Sequence, residues 1–213
     1  MPFIFFIVLE SFPRVNKKLI DIGQVTREEA SLCDIIRSTF FISHGIRKER
    51  ELWLFFSRDD FLVRIDGQRV RYLGPDERSN LMLLMKANDQ WEKVRSRTAD
   101  AWVESTPGID LLPETNVQQG IQRLIDYQEN FRLCIPTFVI NHDANAPIVK
   151  ISESFLEQLK KTGISLVLTE KELDINQAIR NALFRDADIT TRTRLIDLPT
   201  KIMVLNLIED NLA

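Results

Sequence analysis

Two hydrophobic rhythms run through the chain. Phe3-Ile-Phe-Phe-Ile-Val-Leu9 is an unbroken apolar run of strand length, the pattern of a buried strand. Thr26-Arg-Glu-Glu29 forms a capping box and predicts a helix running to about Phe41, with Ala30, Cys33, Ile36 and Phe40 on one face. Trp53-Leu-Phe-Phe56 and Phe61-Leu-Val-Arg-Ile65 are short aromatic and β-branched runs, hence strands. The Asp66-Gly67 turn pair predicts a hairpin between 61–65 and 68–73. Gly74-Pro75-Asp76-Glu77 reads as a helix start, with the helix reaching about Ala87 and a polar helical stretch from Trp91 to Ala101.

Thr106-Pro107-Gly108-Ile109 predicts a turn into a short extended piece, and Val117 to Tyr127 carries Ile121, Leu124 and Ile125 at helical spacing. Beyond this point the two patterns alternate. Strands are expected at Thr137–Ile140, Ile164–Leu168 and Leu195–Leu198, with helices at Ser154–Lys161 and Asn176–Phe184. Pro199 introduces a last helix with Ile202, Leu205 and Ile208 on one face. Alternation of this kind predicts an α/β fold, a mostly parallel sheet flanked by helices.

Composition adds little to that picture: 44% apolar and 28% charged residues describe an ordinary globular chain of 213 residues. Cys33 and Cys134 both sit in apolar runs, without the spacing of a disulfide framework or a metal site, and are expected as buried free thiols. The opening apolar run lacks a basic flank and a small-residue cleavage site, and it is too short to span a bilayer, so a buried strand explains it best.

Charge distribution changes the picture more than net charge does. The total is −3, but residues 1–100 carry +2 and residues 101–213 carry −5. The basic residues group at Arg47, Lys48 and Arg50, at Arg64, Arg69 and Arg71, and at Arg95 and Arg97. Such groups could meet phosphates or serve as solvated faces of mixed charge.

The glycine-rich phosphate loops, the metalloprotease helix motif and the nucleophile elbow are all missing. With His44 and His142 as the only histidines, no metal is expected. Three polar clusters remain: residues 41–48, 74–80 and 104–109. Singly, each could be a helix cap, a dipole partner or an ordinary turn.

Together, and in this order, they resemble one family. Phe40-Phe-Ile-Ser-His-Gly-Ile-Arg47, Pro75-Asp-Glu-Arg-Ser-Asn80 and Ser105-Thr-Pro-Gly-Ile109 resemble the motifs of the archaeal tRNA (pseudouridine-54) N1-methyltransferases, members of the SPOUT class. The likeness covers roughly residues 30–110 together with the opening strand, with Gly45 standing where family members carry Asp. It implies one SPOUT-like domain over 1–213, of which 1–110 faces RNA and 111–213 forms a C-terminal trefoil knot that binds cofactor. It also implies S-adenosylmethionine as cofactor, tRNA as partner, a homodimer and a cytoplasmic setting, with no DNA and no membrane. Asp76, Glu77 and Arg78 take the catalytic positions in this reading. Ser43, His44, Arg47, Lys48 and Arg50 take the RNA-binding ones.

Beyond residue 110 the likeness is architectural. The family carries three cofactor loops, and collinear placement puts Ile140 and Asn141 in the first, Leu168, Thr169 and Glu170 in the second, and Ile196 and Leu198 in the third. A rival placement moves residues 140–143 to the second loop and 164–166 to the third. Either way the family's loop glycines are absent, and Thr169 and Glu170 add bulk where backbone would approach the cofactor. Two functions of different class therefore stand: methyl transfer to N1 of pseudouridine in the T-arm of tRNA, or a catalytically silent RNA-binding or scaffolding dimer.

Overall fold

The computed structural model describes residues 3–42, 45–95, 101–113, 116–130, 137–140, 164–169 and 198–212. Strand β1 (Phe3–Leu9) is central, and Ile4, Phe5, Phe6 and Ile7 have no exposure at all. That burial on both faces is why its sequence is a continuous apolar run rather than an alternating one. Parallel to it lie β4 (Arg50–Phe56) on one side and β9 (Ile164–Thr169) on the other, with β8 (Thr137–Ile140) parallel to β9 at the edge.

The other half of the sheet is antiparallel. Strand β5 (Phe61–Asp66) pairs with β4, β7 (Ile109–Pro113) pairs with β5, and β6 (Val103–Thr106) closes the second edge. The order across the seven-stranded sheet is β6-β7-β5-β4-β1-β9-β8. The α/β class expected from the alternating pattern is present, as a sheet parallel in one half and antiparallel in the other. A two-stranded ladder, β2 (Phe41–Ile42) with β3 (Gly45–Ile46), sits beside it.

Helices cover both faces. Short α1 (Lys17–Asp21) precedes α2 (Arg27–Phe40), which starts at the capping box: Thr26 Oγ1 accepts from Glu29 N–H, and Glu29 Oε2 accepts from Thr26 N–H at 2.8 Å. Helices α2, α3 (Glu77–Val94) and α5 (Leu198–Leu212) place Leu32, Ile36, Phe40, Leu81, Leu84 and Ile202 against Phe5 and Ile7. Helix α4 (Val117–Asn130) covers the opposite face, with Ile121 and Leu124 against Ile4, Phe6, Trp53 and Phe55. The result is a three-layer arrangement with a core on each side of the sheet.

Four expectations are corrected. The segment 68–73 is not a strand, and β5 forms its hairpin with β4 through the turn at 57–60. The Asp66-Gly67 turn does form, but Gly67 lies against backbone: a Cβ there would stand 2.7 Å from the Arg47 carbonyl and 2.8 Å from that of Arg50. This turns the polar segment off the sheet and leaves the edge of β5 to β7. Helix α3 runs on to Val94 instead of stopping near Ala87, because Trp91 and Val94 continue its apolar face and Trp91 packs on Phe61, ring centroids 5.2 Å apart. The helical stretch expected to reach Ala101 does not: Ala101 is not helical, and residues 96–100 lie outside the described residues. Leu198 opens α5 rather than ending a strand, with Pro199 in the first turn, where its missing N–H costs nothing. The helices expected at 154–161 and 176–184, the residues 195–197 and Cys134 lie outside the described residues.

Candidate functional site

The first group of candidate residues stands at the start of α3. Asp76 is the N-cap: its Oδ1 accepts from Ser79 N–H at 2.8 Å, and Ser79 Oγ donates to Oδ2 at 2.8 Å. Those hydrogen bonds, the backbone one foremost, hold the Asp76 carboxyl below the usual carboxylate range. Glu77 is half-buried, with Arg37 at 3.6 Å and the Cys33 thiol 3.9 Å from its carbonyl. Burial, with Glu77 nearby, pushes that thiol up to about 12, so Cys33 stays protonated and is no nucleophile. Exposed Arg78 reaches Asp21 at 2.8 Å. Asn80 is fully buried, and among the described residues neither polar atom of its amide has a hydrogen-bond partner.

The second group divides. Lys48 is exposed, but Arg47 and Arg50 turn inward. Arg47 makes a two-pronged ion pair with Asp210 of α5, at 2.6 and 2.5 Å, which holds the Asp210 carboxyl below its ordinary value. Arg50 has no exposure: its Nε donates to Asn206 Oδ1 at 3.1 Å, its guanidinium lies 4.5 Å from the Phe3 ring centre, and Asn206 in turn donates to the Ser38 carbonyl. An enclosed guanidinium has no surface to offer a phosphate, so Arg50 ties α5 to β4 and α2 instead. Ser43 and His44 lie outside the described residues.

The third group follows the sheet. Ile140 pairs with Leu168, Leu168 with Ile7 and Thr169 with Val8, so the carboxyl ends of β8, β9 and β1 lie side by side. Open α/β sheets bind their ligands at this edge. Leu198 is buried in the core. Asn141, Glu170 and Ile196 lie outside the described residues.

Of the described site residues that the sequence singles out, Lys48 alone lines a further cleft that the fold creates. A groove of about 420 Å³ is lined by Lys48, Arg69, Arg71, Gln68, Val70 and Pro107, beside Gly67 and Ile46. It lies at the amino end of β1, where Phe3 pairs with Arg50 and Gly67 N–H donates to the Arg50 carbonyl. The grouping of Arg69 and Arg71 was the available signal; that Lys48 joins them required the turn at Gly67. Arg69 shares Asp110 with Arg64, at 3.1 and 2.6 Å, and also reaches Glu104 at 2.7 Å.

On the α4 face Arg64 lies among Trp102, Tyr127 and Trp53, with ring centres 5.0, 5.3 and 6.0 Å from its guanidinium. Beside it Glu51 accepts from Tyr127 Oη at 2.6 Å and Trp53 Nε1 at 3.0 Å. Burial raises the Glu51 carboxyl despite those bonds.

An open sheet with its parallel carboxyl ends aligned, and a groove lined by Lys48, Arg69 and Arg71 at the other end, defines an α/β protein of mixed sheet flanked by helices. The chain belongs to the family described as "Putative SAM-dependent RNA methyltransferase", whose model matches residues 6–180. Among curated proteins it is similar to the tRNA (pseudouridine(54)-N(1))-methyltransferase of Haloferax volcanii, 36% identical over 80 residues, which are 38% of this chain and 38% of that protein. The protein of that name from Halobacterium salinarum is 39% identical over 96 residues, 45% of this chain and 44% of the relative. The one from Methanocaldococcus jannaschii is 25% identical over 163 residues, 70% and 78%. The matched stretch thus spans less than half the length of the first two relatives. Among the described residues no helix is long and apolar enough to cross a membrane.

Proposed function

We propose that this protein is an S-adenosylmethionine-dependent tRNA methyltransferase that methylates N1 of a pseudouridine in the T-arm, working in the cytoplasm as a SPOUT-class homodimer with a C-terminal trefoil knot. The observation that carries this reading is the family match over residues 6–180, which spans both the motif-bearing half and the strands whose carboxyl ends align.

The alignment of β1, β9 and β8 fits a cofactor laid across their ends, with Ile140, Asn141, Leu168, Thr169, Glu170, Ile196 and the Leu198 backbone as the holding positions. When bound, S-adenosylmethionine supplies a methyl group made reactive by its positive sulfur. The chain's own work is to hold the base in line and manage its N1 proton. Asp76, kept ionised by its cap bonds, serves as an acceptor for a base N–H. Glu77 is the better placed of the two carboxylates to take a proton, since it is half-buried and does not accept the α3 cap bonds. Exposed Arg78 answers developing negative charge.

Two observations support a dimer. The cationic groove and the carboxyl edge lie at opposite ends of β1, about 20 Å apart for a strand of this length, so one RNA serving both is more readily held by two copies. Met203 and Leu207, one turn apart on α5, are half exposed and apolar.

Calorimetric titration with S-adenosylmethionine and S-adenosylhomocysteine, followed by methyl transfer to tRNA with uridine or pseudouridine at the target, tests the reading. Micromolar binding and transfer only to the pseudouridine form are expected. No heat for either ligand, with tRNA binding retained, would instead identify the silent RNA-binding dimer.

A further inference from the structure

Tyr72 directly follows the groove residue Arg71, and it is the most exposed large apolar side chain among the described residues, at 79%. Its backbone is left-handed, with φ of +66°, a conformation that costs a β-carbon-bearing residue energy and that glycine adopts freely. An aromatic ring held in solvent on such a backbone contributes nothing to the core and is unfavourable locally, a combination that marks functional positions. The segment bearing it is anchored: Arg71 N–H donates to the Pro107 carbonyl at 3.3 Å, Val70 N–H to the Asp66 carbonyl at 2.8 Å, and Gln68 N–H to Asp66 Oδ1 at 2.8 Å.

The charges of the groove point the same way. Arg69 is answered by Asp110 and Glu104. Lys48 and Arg71 are exposed, and among the described residues neither lies within ion-pair distance of a carboxylate. Two uncompensated cations beside a protruding aromatic ring are the elements of a single-strand platform, in which phosphates meet cations and an unstacked base meets the ring. A duplex would leave the ring unused, because its bases are already stacked.

We propose that the groove at Lys48, Arg69 and Arg71, with Tyr72 beside it, binds an unpaired segment of RNA, Lys48 and Arg71 taking backbone phosphates and Tyr72 stacking on a base. This site rests on the proposed RNA-directed function and names the part of the RNA it grips, at the end of the sheet away from the cofactor edge. Asp76, Glu77 and Arg78 are not among its lining residues.

The test measures binding of a short labelled unpaired RNA, and of the same strand annealed to its complement, by fluorescence anisotropy across a salt series. The full chain is compared with Tyr72→Gly, Tyr72→Phe and a Lys48→Ala/Arg71→Ala double variant. Tyr72→Gly relieves the left-handed strain, so its melting temperature does not fall while its affinity for unpaired RNA drops roughly 5- to 100-fold. Tyr72→Phe keeps the affinity, and the double variant lowers the slope of log K against log salt by about 1.4. Unpaired RNA binds more tightly than the duplex. Wild-type RNA binding with unchanged affinity in Tyr72→Gly, or an unchanged salt slope in the double variant, overturns the groove while leaving the methyltransferase reading intact. A wild-type chain that binds no RNA, paired or unpaired, overturns both.

Discussion

Gly108 closes the β6–β7 turn at φ +81°, and a β-carbon there would lie 2.2 Å from Val70 N and 2.5 Å from the Arg69 carbonyl carbon. Backbone cannot yield as a flexible side chain does, so Gly108→Ala is expected to cost about 2–4 kcal/mol. A lower urea midpoint at unchanged m-value is the measurement. The effect reaches beyond the turn, because Val70 and Arg69 line the groove: the glycine lets the β6–β7 turn seat against the 66–71 segment. The Ser-Thr-Pro-Gly-Ile run advertised a turn at this point. What it could not disclose was the neighbour, thirty-odd residues back in the chain, that makes the glycine indispensable.

Helix α3 carries two roles on one residue. Asp76 caps the helix and stands among the proposed catalytic groups, and the roles separate because Asn caps about as well as Asp. Asp76→Asn is expected to stay within about 0.5 kcal/mol of wild type, while Asp76→Ala loses about 1 kcal/mol. If the carboxylate orients the base, both variants lose methyl transfer, by about tenfold or more in kcat/KM. Equal kcat/KM in Asp76→Asn and wild type would leave Asp76 as a cap alone. The Pro-Asp-Glu start of α3 and the Thr26 capping box were legible because caps are local chemistry. The length of α3 was not: Asn88-Asp89 weakens the local pattern, and the packing of Trp91 on Phe61 outweighs it. The hairpin at Asp66-Gly67 failed similarly, since which strand takes an edge depends on competition with β7 across more than forty residues.

Across the whole molecule, α5 is joined to the strand bundle by polar links rather than by apolar contact alone. Asp210 grips Arg47, and Asn206 bridges Arg50 and the Ser38 carbonyl. Asp210→Asn leaves a nearly enclosed guanidinium without its counter-charge, an expected loss of about 1–3 kcal/mol at neutral pH, reduced by the partial exposure of Asp210. The pH dependence has a definite sign. Because Asp210 has a lowered value in the folded protein, its stabilisation is present above the ordinary carboxylate range and is lost as pH falls through that lowered value. Melting temperatures of wild type and variant should therefore converge on acidification; a gap that stays constant into acid would show that the pair is not the cause. Glu51 acts with the opposite sign: its raised carboxyl favours folding at low pH and withdraws that contribution as pH rises through the raised value.

The sequence by itself determined the α/β class, the buried opening strand β1, the capped starts of α2 and α3, and family membership through three short motifs. These are local: a strand buried on both faces must be apolar throughout, and a cap needs its oxygen within a few residues. Only the tertiary structure decided which arginines face solvent, because burial of Arg50 depends on Asn206, 156 positions away. It also decided that Lys48, Arg69 and Arg71 share a groove, and that the groove and the carboxyl edge occupy opposite ends of the sheet. Charge along a chain is readable residue by residue; which charges are desolvated, paired or gathered follows from contacts between segments that the linear pattern does not encode.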